Sequence, residues 1–363
     1  MIYIHVPFCD GKCPYCDFYS LASDDKLKDS YVQSLIAHFK SWESKKINAK
    51  SIYFGGGTPN LLGAERLTQV LKAAKSSFSP TENAEITVEV NPGQIDAAFF
   101  KQIKAAGFNR ISMGLQSANE NELKQLGRQH TAEDVRNAVA DAKSAGFENI
   151  SVDLMIGLPN STVKTLKMSI DFAASLEVQH ISSYILKIEE NTTFSKADKV
   201  ILPGDDEVSE QYLFAVEELA KYEFAQYEIS NFSKKGFESR HNLVYWQGDN
   251  YLGFGPAAHS FYEGERFYYP RNIDEFIAGS EPISDGAGGD FDELVMLSLR
   301  LSEGLSRESC EQKFGDGSEL YKKLLKNAQK CPQELILADN DRIKLTPKGF
   351  LLSNQIILKL LDF

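Results

Sequence analysis

Short apolar runs with strand character alternate, over the first half of the chain, with amphipathic segments of helical period. The strand-like runs lie at 2–8 (IYIHVPF), 51–56 (SIYFGG), 85–90 (EITVEV), 110–117 (RISMGLQS), 150–158 (ISVDLMIGL) and 180–188 (HISSYILKI). Between them, apolar residues recur at helical spacing in segments such as 29–42, 65–77, 99–107, 132–146 and 163–176. The alternation returns about every 30 to 45 residues, which predicts six consecutive βα units and a parallel α/β barrel, closed or open.

After about residue 285 the pattern changes. GAGGD at 286–290 reads as a linker, followed by helix-like segments at 291–305, 308–315 and 318–330. Residues 335–361 read as a hairpin and a final helix. The expected organisation is a barrel core over 1–200, an extension of it over 201–284 and a small C-terminal helical, winged-helix-like domain over 285–363.

Composition narrows the class. Charged residues are 25% and the hydrophobic set 42%. No run approaches the eighteen or so apolar residues of a membrane span, so the expectation is a cytoplasmic globular protein without an integral membrane segment. A net charge of -12 opposes sequence-independent nucleic-acid binding, which works by neutralising phosphates. No dense basic stripe supports DNA binding by the winged element either.

The chemistry is concentrated in HVPFCDGKCPYC, where Cys9, Cys13 and Cys16 stand at CxxxCxxC spacing. Three thiols leave one corner of a 4Fe-4S cluster open to a small molecule. A zinc site needs a fourth ligand, and the nearest candidate, His5, lies within a strand. A disulfide framework fits poorly with five cysteines in 363 residues and no secretory leader. A purely structural role is the remaining alternative.

Further polar and glycine-rich signals follow the other strands: GGGTPN after the second, Glu89 at the end of the third, Gln116 after the fourth and Asp153 within the fifth. Sites in β/α barrels are built at the carboxyl ends of strands, so these residues are expected to meet at one mouth. Alone, the triple glycine is equally explained as a tight turn.

CxxxCxxC, YFGGGTP, EVNP, GLQS and DLMIGLP, in that order, resemble the radical S-adenosylmethionine (SAM) proteins of the group that contains oxygen-independent coproporphyrinogen III oxidase and the heme chaperones. The resemblance spans Tyr3 to about Arg271 and continues more weakly to the C-terminus. It implies a partial (β/α)6 TIM-like barrel in which Cys9, Cys13 and Cys16 hold the cluster and SAM chelates the fourth iron. Gly55, Gly56, Gly57 and Thr58 then match the motif that receives the SAM amino group. Glu89 and Asp153 match positions near the ribose hydroxyls, and Gln116 and Arg128 match polar contacts, Arg128 to the carboxylate. Tyr3 and His5 match positions near the cluster and SAM, and Tyr15 one near the adenine.

Three features separate the chaperone from the oxidase within this group. Phe18 stands where the oxidases typically carry a further cysteine, and only two residues precede Tyr3, where the oxidase usually has a longer segment. HNLVYW at 241–246 resembles the HNxxYW signature of the heme chaperones, which makes His241 the expected heme ligand and Tyr245 and Trp246 a flat wall beside it. The GP-rich segment containing His259 is expected to serve close backbone packing, and Cys310 and Cys331 to be structural. The reading is a heme carrier with a 4Fe-4S cluster and SAM that delivers to acceptor hemoproteins such as respiratory enzymes, meeting the membrane through them. The alternative is oxidative decarboxylation of coproporphyrinogen III.

Overall fold

The structure, a computed structural model, describes residues 1–197 and 200–362. Its elements run β1 (Ile2–Val6), α1 (Asp25–Ser41), β2 (Ser51–Gly56), α2 (Gly63–Phe78), β3 (Glu85–Val90), α3 (Ala97–Ala106), β4 (Arg110–Gln116), α4 (Glu120–Gln125), α5 (Ala132–Ser144), β5 (Asn149–Ile156), α6 (Val163–Ser175), β6 (His180–Ile185), α7 (Asp205–Lys221), β7 (Ala225–Glu228), β8 (Asn231–Ser233), α8 (Arg240–Trp246) and β9 (Leu252–Phe254). Polar caps start the helices where the periodicity begins. Asp24 and Asp96 accept the orphan amides of Leu27 and Phe99, and Thr131 with Asp134 forms a reciprocal capping box.

All six expected strands form, and β1 to β6 pair in sequence order, all parallel. The sheet then grows at both ends: β8 joins β6 antiparallel and β7 joins β8, while β9 runs parallel to β1. The order β7-β8-β6-β5-β4-β3-β2-β1-β9 leaves β7 and β9 as edges, so the barrel is open. Within 201–284, β7, β8 and β9 therefore extend the barrel sheet, while His259–Tyr262, Glu265–Tyr268 and Ile283–Ala287 form a separate three-stranded sheet.

One face of each strand is apolar and packs under the helices: Ile2, Ile4 and Val6, Ile52 and Phe54, Ile111 and Met113, Ile150 and Val152 all belong to the main core. Burying each such side chain contributes about 1.5–3 kcal/mol. The other face is polar, since Tyr3, Tyr53, Glu89, Arg110, Ser112, Asp153 and Ser182 line an internal cavity. Strands have a period of two, so EITVEV, RISMG and NISVD each place alternate polar residues into the lumen. Register stacks them side by side, with Glu89 beside Ser112, Ser112 beside Ser151, and Ser151 beside His180.

The C-terminal region departs from the expectation in three places. Two of the five residues of the expected linker are strand, because Ile283–Ala287 pairs with Glu265–Tyr268, and Gly288 and Gly289 remain as connector before the cap Asp290. The helix read over 291–305 ends at Ser298, and Leu305–Ser306 pairs with Arg342–Leu345 as a third strand of the wing. The final helix is two, Pro347–Leu351 and Ser353–Leu360. This region is fastened to the barrel extension: Ile229 N donates to Arg300 O at 2.9 Å and Ser302 N to Tyr227 O at 3.0 Å. Among the described residues no helix is long and apolar enough to cross a membrane.

Candidate functional site

The loop after β1 is closed at its base, where Cys9 N donates to Leu21 O at 3.0 Å and Leu21 N to Pro7 O at 2.9 Å. This presents Cys9, Cys13 and Cys16, all half-buried and free of disulfides, to one cavity. The Cys9 Sγ lies 3.4 Å from Thr58 Oγ1, and the Arg128 guanidinium donates to Cys13 Sγ at 3.7 Å. Burial raises the Cys16 thiol above its ordinary range.

His5 does not complete a zinc site. Its Nε2 lies 2.9 Å from Tyr19 O and its Nδ1 3.0 Å from the Tyr3 hydroxyl, and burial lowers its pKa to about 4. Among the described residues no three His, Cys, Asp or Glu side chains are gathered for a single ion. Three thiols without a fourth protein ligand, facing a cavity, fit a cluster with one open iron.

The glycines after β2 are required by close approach. A Cβ on Gly57 would lie 2.6 Å from Phe8 O and 2.9 Å from Val6 O, one on Gly55 would meet Tyr53 and Glu89, and Gly56 has φ +111°. Gly57 N donates to Val6 O at 2.9 Å and Thr58 N to Phe8 O at 2.7 Å, so this segment is tied to the cysteine loop. The turn reading of GGG describes this backbone, and the turn brings Thr58 to Cys9.

Inside the lumen, Glu89 accepts from the Tyr53 hydroxyl at 2.7 Å and from Gly56 N at 3.2 Å, yet desolvation pushes its pKa up to about 7. Asp153, held by Ser182 and Ser112, is pushed up to about 6 by the same cause. Arg110, also buried in this lumen, favours the ionised form of both, and its Nε has no hydrogen-bond partner.

Arg128 is fixed by Asn91. Its Nη2 donates to Asn91 Oδ1 at 2.9 Å and to Gly114 O at 3.3 Å, while Asn91 Nδ2 donates to Thr58 Oγ1 at 3.0 Å. Gln116, buried with φ +68°, accepts from Tyr184 at 2.9 Å. Tyr15 packs 6.4 Å from Phe194 at the edge of the same cavity. Asn91, Tyr53, Tyr184 and Arg110 escaped the sequence reading, although each stands at a lumen position of the period-two pattern or within the quoted EVNP.

Every expected site residue lines this cavity of about 920 Å³ except Gly55 and His241. His241 forms part of the floor: it is 2% exposed, with Nδ1 3.0 Å from Ser51 Oγ, Nε2 3.4 Å from the Tyr245 hydroxyl and its ring stacked on Tyr53 at 4.7 Å. Glu85 accepts the amides of Arg240 and His241 and so pins the start of α8 under the barrel. His241, the expected heme ligand, is thus buried here with both ring nitrogens engaged, and Trp246, expected as part of a flat wall, donates to the buried Glu228 and does not line the cavity. Asn242 and Tyr245 are the HNLVYW side chains that reach the cavity.

Comparisons with known proteins agree with this architecture. Residues 3–173 match the model of the Radical SAM superfamily, and residues 291–352 that of the HemN C-terminal domain. The chain is 34% identical to the heme chaperone HemW of Lactococcus lactis over 99% of its own length and 96% of that protein. It is 35% identical to the heme chaperone HemW of Haemophilus influenzae, over 98% and 96% respectively. Its fold is that of the coproporphyrinogen III oxidase HemN of Escherichia coli, with a TM-score of 0.83 at 21% identity, over 99% of this chain and 89% of that one.

Proposed function

The chain belongs to the HemW family of radical SAM proteins, and from that premise we propose that it is a heme chaperone that carries a 4Fe-4S cluster and SAM. Cys9, Cys13 and Cys16 would hold the cluster, and Thr58 and Arg128 shape the thiols' surroundings. The amide hydrogens of Gly57 and Thr58 are already donated within the protein, so this segment offers acceptors, which suits an ammonium group. Glu89 and Asp153 supply acceptors for hydroxyls, and Arg128, oriented by Asn91, pairs with a carboxylate. Bound together, cluster and SAM supply one-electron chemistry at the sulfonium.

The observation that carries the chaperone reading is that the cavity continues past these positions. It reaches Tyr245 and Tyr251 at the barrel's open side and Phe18, which is 65% exposed. An aromatic-lined space of this size lies at the upper end of small-molecule sites, about 300–1,000 Å³, and suits a flat macrocycle. Heme is the cargo, and acceptor hemoproteins such as respiratory enzymes receive it, with the carrier itself cytoplasmic.

The test uses anaerobically reconstituted protein, given heme in one arm and coproporphyrinogen III with SAM and reductant in the other. Heme binding followed by transfer to an apo-hemoprotein, without decarboxylation, is expected. Decarboxylation without heme binding would overturn the reading.

A further inference from the structure

Each of the three thiols of the cysteine loop meets a hydrogen-bond donor. Cys16 accepts from the backbone amide of Phe18, within the loop itself. The other two donors come from elsewhere in the chain: Arg128 Nη1 donates to Cys13 Sγ at 3.7 Å, and Thr58 Oγ1 lies 3.4 Å from Cys9 Sγ. Thr58 follows β2 and Arg128 follows α4, and a single side chain joins them. Asn91 reaches Thr58 Oγ1 with its Nδ2 at 3.0 Å and Arg128 Nη2 with its Oδ1 at 2.9 Å.

We propose that Asn91 is a positioning residue for the cluster, whose one amide aims the donors of Thr58 and Arg128 at two of the three thiolates and so holds the reduction potential at a less negative value. This rests on the assignment of Cys9, Cys13 and Cys16 to the cluster and is independent of the heme cargo. The polarity of the chain of bonds is determined from one end. A guanidinium has only donors, so the Asn91 oxygen must face Arg128 and its NH2 group must face Thr58. Thr58 Oγ1 therefore accepts from Asn91, and its single hydrogen goes to another acceptor. A thiolate that ligates iron carries no proton, so Cys9 Sγ takes that hydrogen.

Reduction adds an electron that spreads onto the sulfurs, and donors aimed at sulfur stabilise that more negative state. The geometry is held from behind. Asn91 N donates to Oδ1 of the buried Asn60 at 2.9 Å, Thr58 N to Phe8 O at 2.7 Å, and Arg128 Nη2 also to Gly114 O at 3.3 Å. A Cβ on Gly114 would lie 3.0 Å from that Nη2, so the glycine gives the guanidinium its place against β4. Asn91 itself is half-buried and lines the cavity, within reach of both partners without touching a thiol.

The experiment measures the midpoint potential of the cluster in SAM-free, anaerobically reconstituted, full-length protein, by electron paramagnetic resonance of samples poised with titanium(III) citrate and mediator dyes. Asn91→Ala is expected to lower the constant for one-electron reduction about tenfold, a shift of about 59 mV to more negative potential. Thr58→Val removes one donor only and is expected to shift the potential the same way by less, whereas Thr58→Ser, which keeps the hydroxyl, retains the wild-type value. The Thr58 pair carries the test where Asn91→Ala loads no cluster. A wild-type potential in loaded Asn91→Ala or in Thr58→Val overturns the proposal and leaves the cluster assignment intact, as does a shift in Thr58→Ser equal to that in Thr58→Val. Failure of the wild-type protein to load a 4Fe-4S cluster overturns the assignment and the proposal with it.

Discussion

The Nδ1 of His241 lies 3.0 Å from the Ser51 hydroxyl, a buried contact across 190 residues that fastens α8 to the start of β2. It closes the bottom of the barrel beneath the lumen that holds Tyr3, Tyr53 and Glu89. The signature HNLVYW is thus divided, with His241 supporting the floor and Asn242 and Tyr245 facing the cavity.

The first prediction follows from that contact. His241→Ala removes the bond to Ser51, the contact with Tyr245 and the stacking on Tyr53, and leaves a void in the floor. A loss of about 2–4 kcal/mol in urea unfolding is expected. A change below about 0.5 kcal/mol, typical of surface positions, would refute a supporting role.

Gly57 separates β2 from the cysteine loop by contact distance alone. Gly57→Ala places a Cβ 2.6 Å from Phe8 O and must displace the loop that carries Cys9, so iron and acid-labile sulfide per chain should fall after reconstitution. Gly11→Ala, within the same loop but with nothing within 4 Å of its Cβ position, should load normally. Equal loading of both variants would contradict the packing argument.

Arg128 offers a planar fork held by Asn91 and Gly114, and a lysine cannot reproduce that geometry. Arg128→Lys should weaken SAM binding about tenfold or more in anaerobic calorimetry, while iron content stays at the wild-type level. Unaltered SAM affinity would remove Arg128 from the carboxylate contact.

The contribution of Glu89 to stability should fall between pH 6 and 8. The folded-state pKa of Glu89 is raised from 4.5 to about 7, so over this range the native state still binds a proton that the unfolded state has largely lost. The contribution of this group therefore declines as pH rises, by about 1 kcal/mol. His5 and His130, lowered to about 4, and the buried His180 and His241, also lowered, act with the opposite sign, because their unfolded forms still bind protons near pH 6.5 that the native ones have lost, so the Glu89 contribution is read against a background that rises with pH. Unfolding of SAM-free protein measures the pH dependence, and Glu89→Gln should make the change in stability from pH 6 to 8 more positive by about 1 kcal/mol. A slope unchanged in that variant would assign the effect elsewhere.

Much of this molecule was legible in its residues. The six strands and five quoted helices appear where alternation and periodicity put them, because parallel βα units are built from local repeats with local caps such as Thr131 and Asp134. The helix end at Ser298 was not legible, since the following segment is drawn into the wing by pairing with Arg342–Leu345, some forty positions away. Tyr53 and Arg110 were passed over because an aromatic or charged residue within an apolar strand shows its role only when its face is known.

The sequence by itself determined the superfamily, the three thiols and the order of the motifs around them, because cluster chemistry depends on residue types at short spacing. The tertiary structure alone decided which side chains are available to a ligand. His241 and His259 both stand in aromatic-rich segments of the sequence; long-range hydrogen bonding buries the first under the barrel, while the second is exposed at the edge of the cavity. That difference is physical: the partners of His241, Ser51 and Tyr245, are set by strand and helix packing across up to 190 residues, which no local pattern of residues encodes.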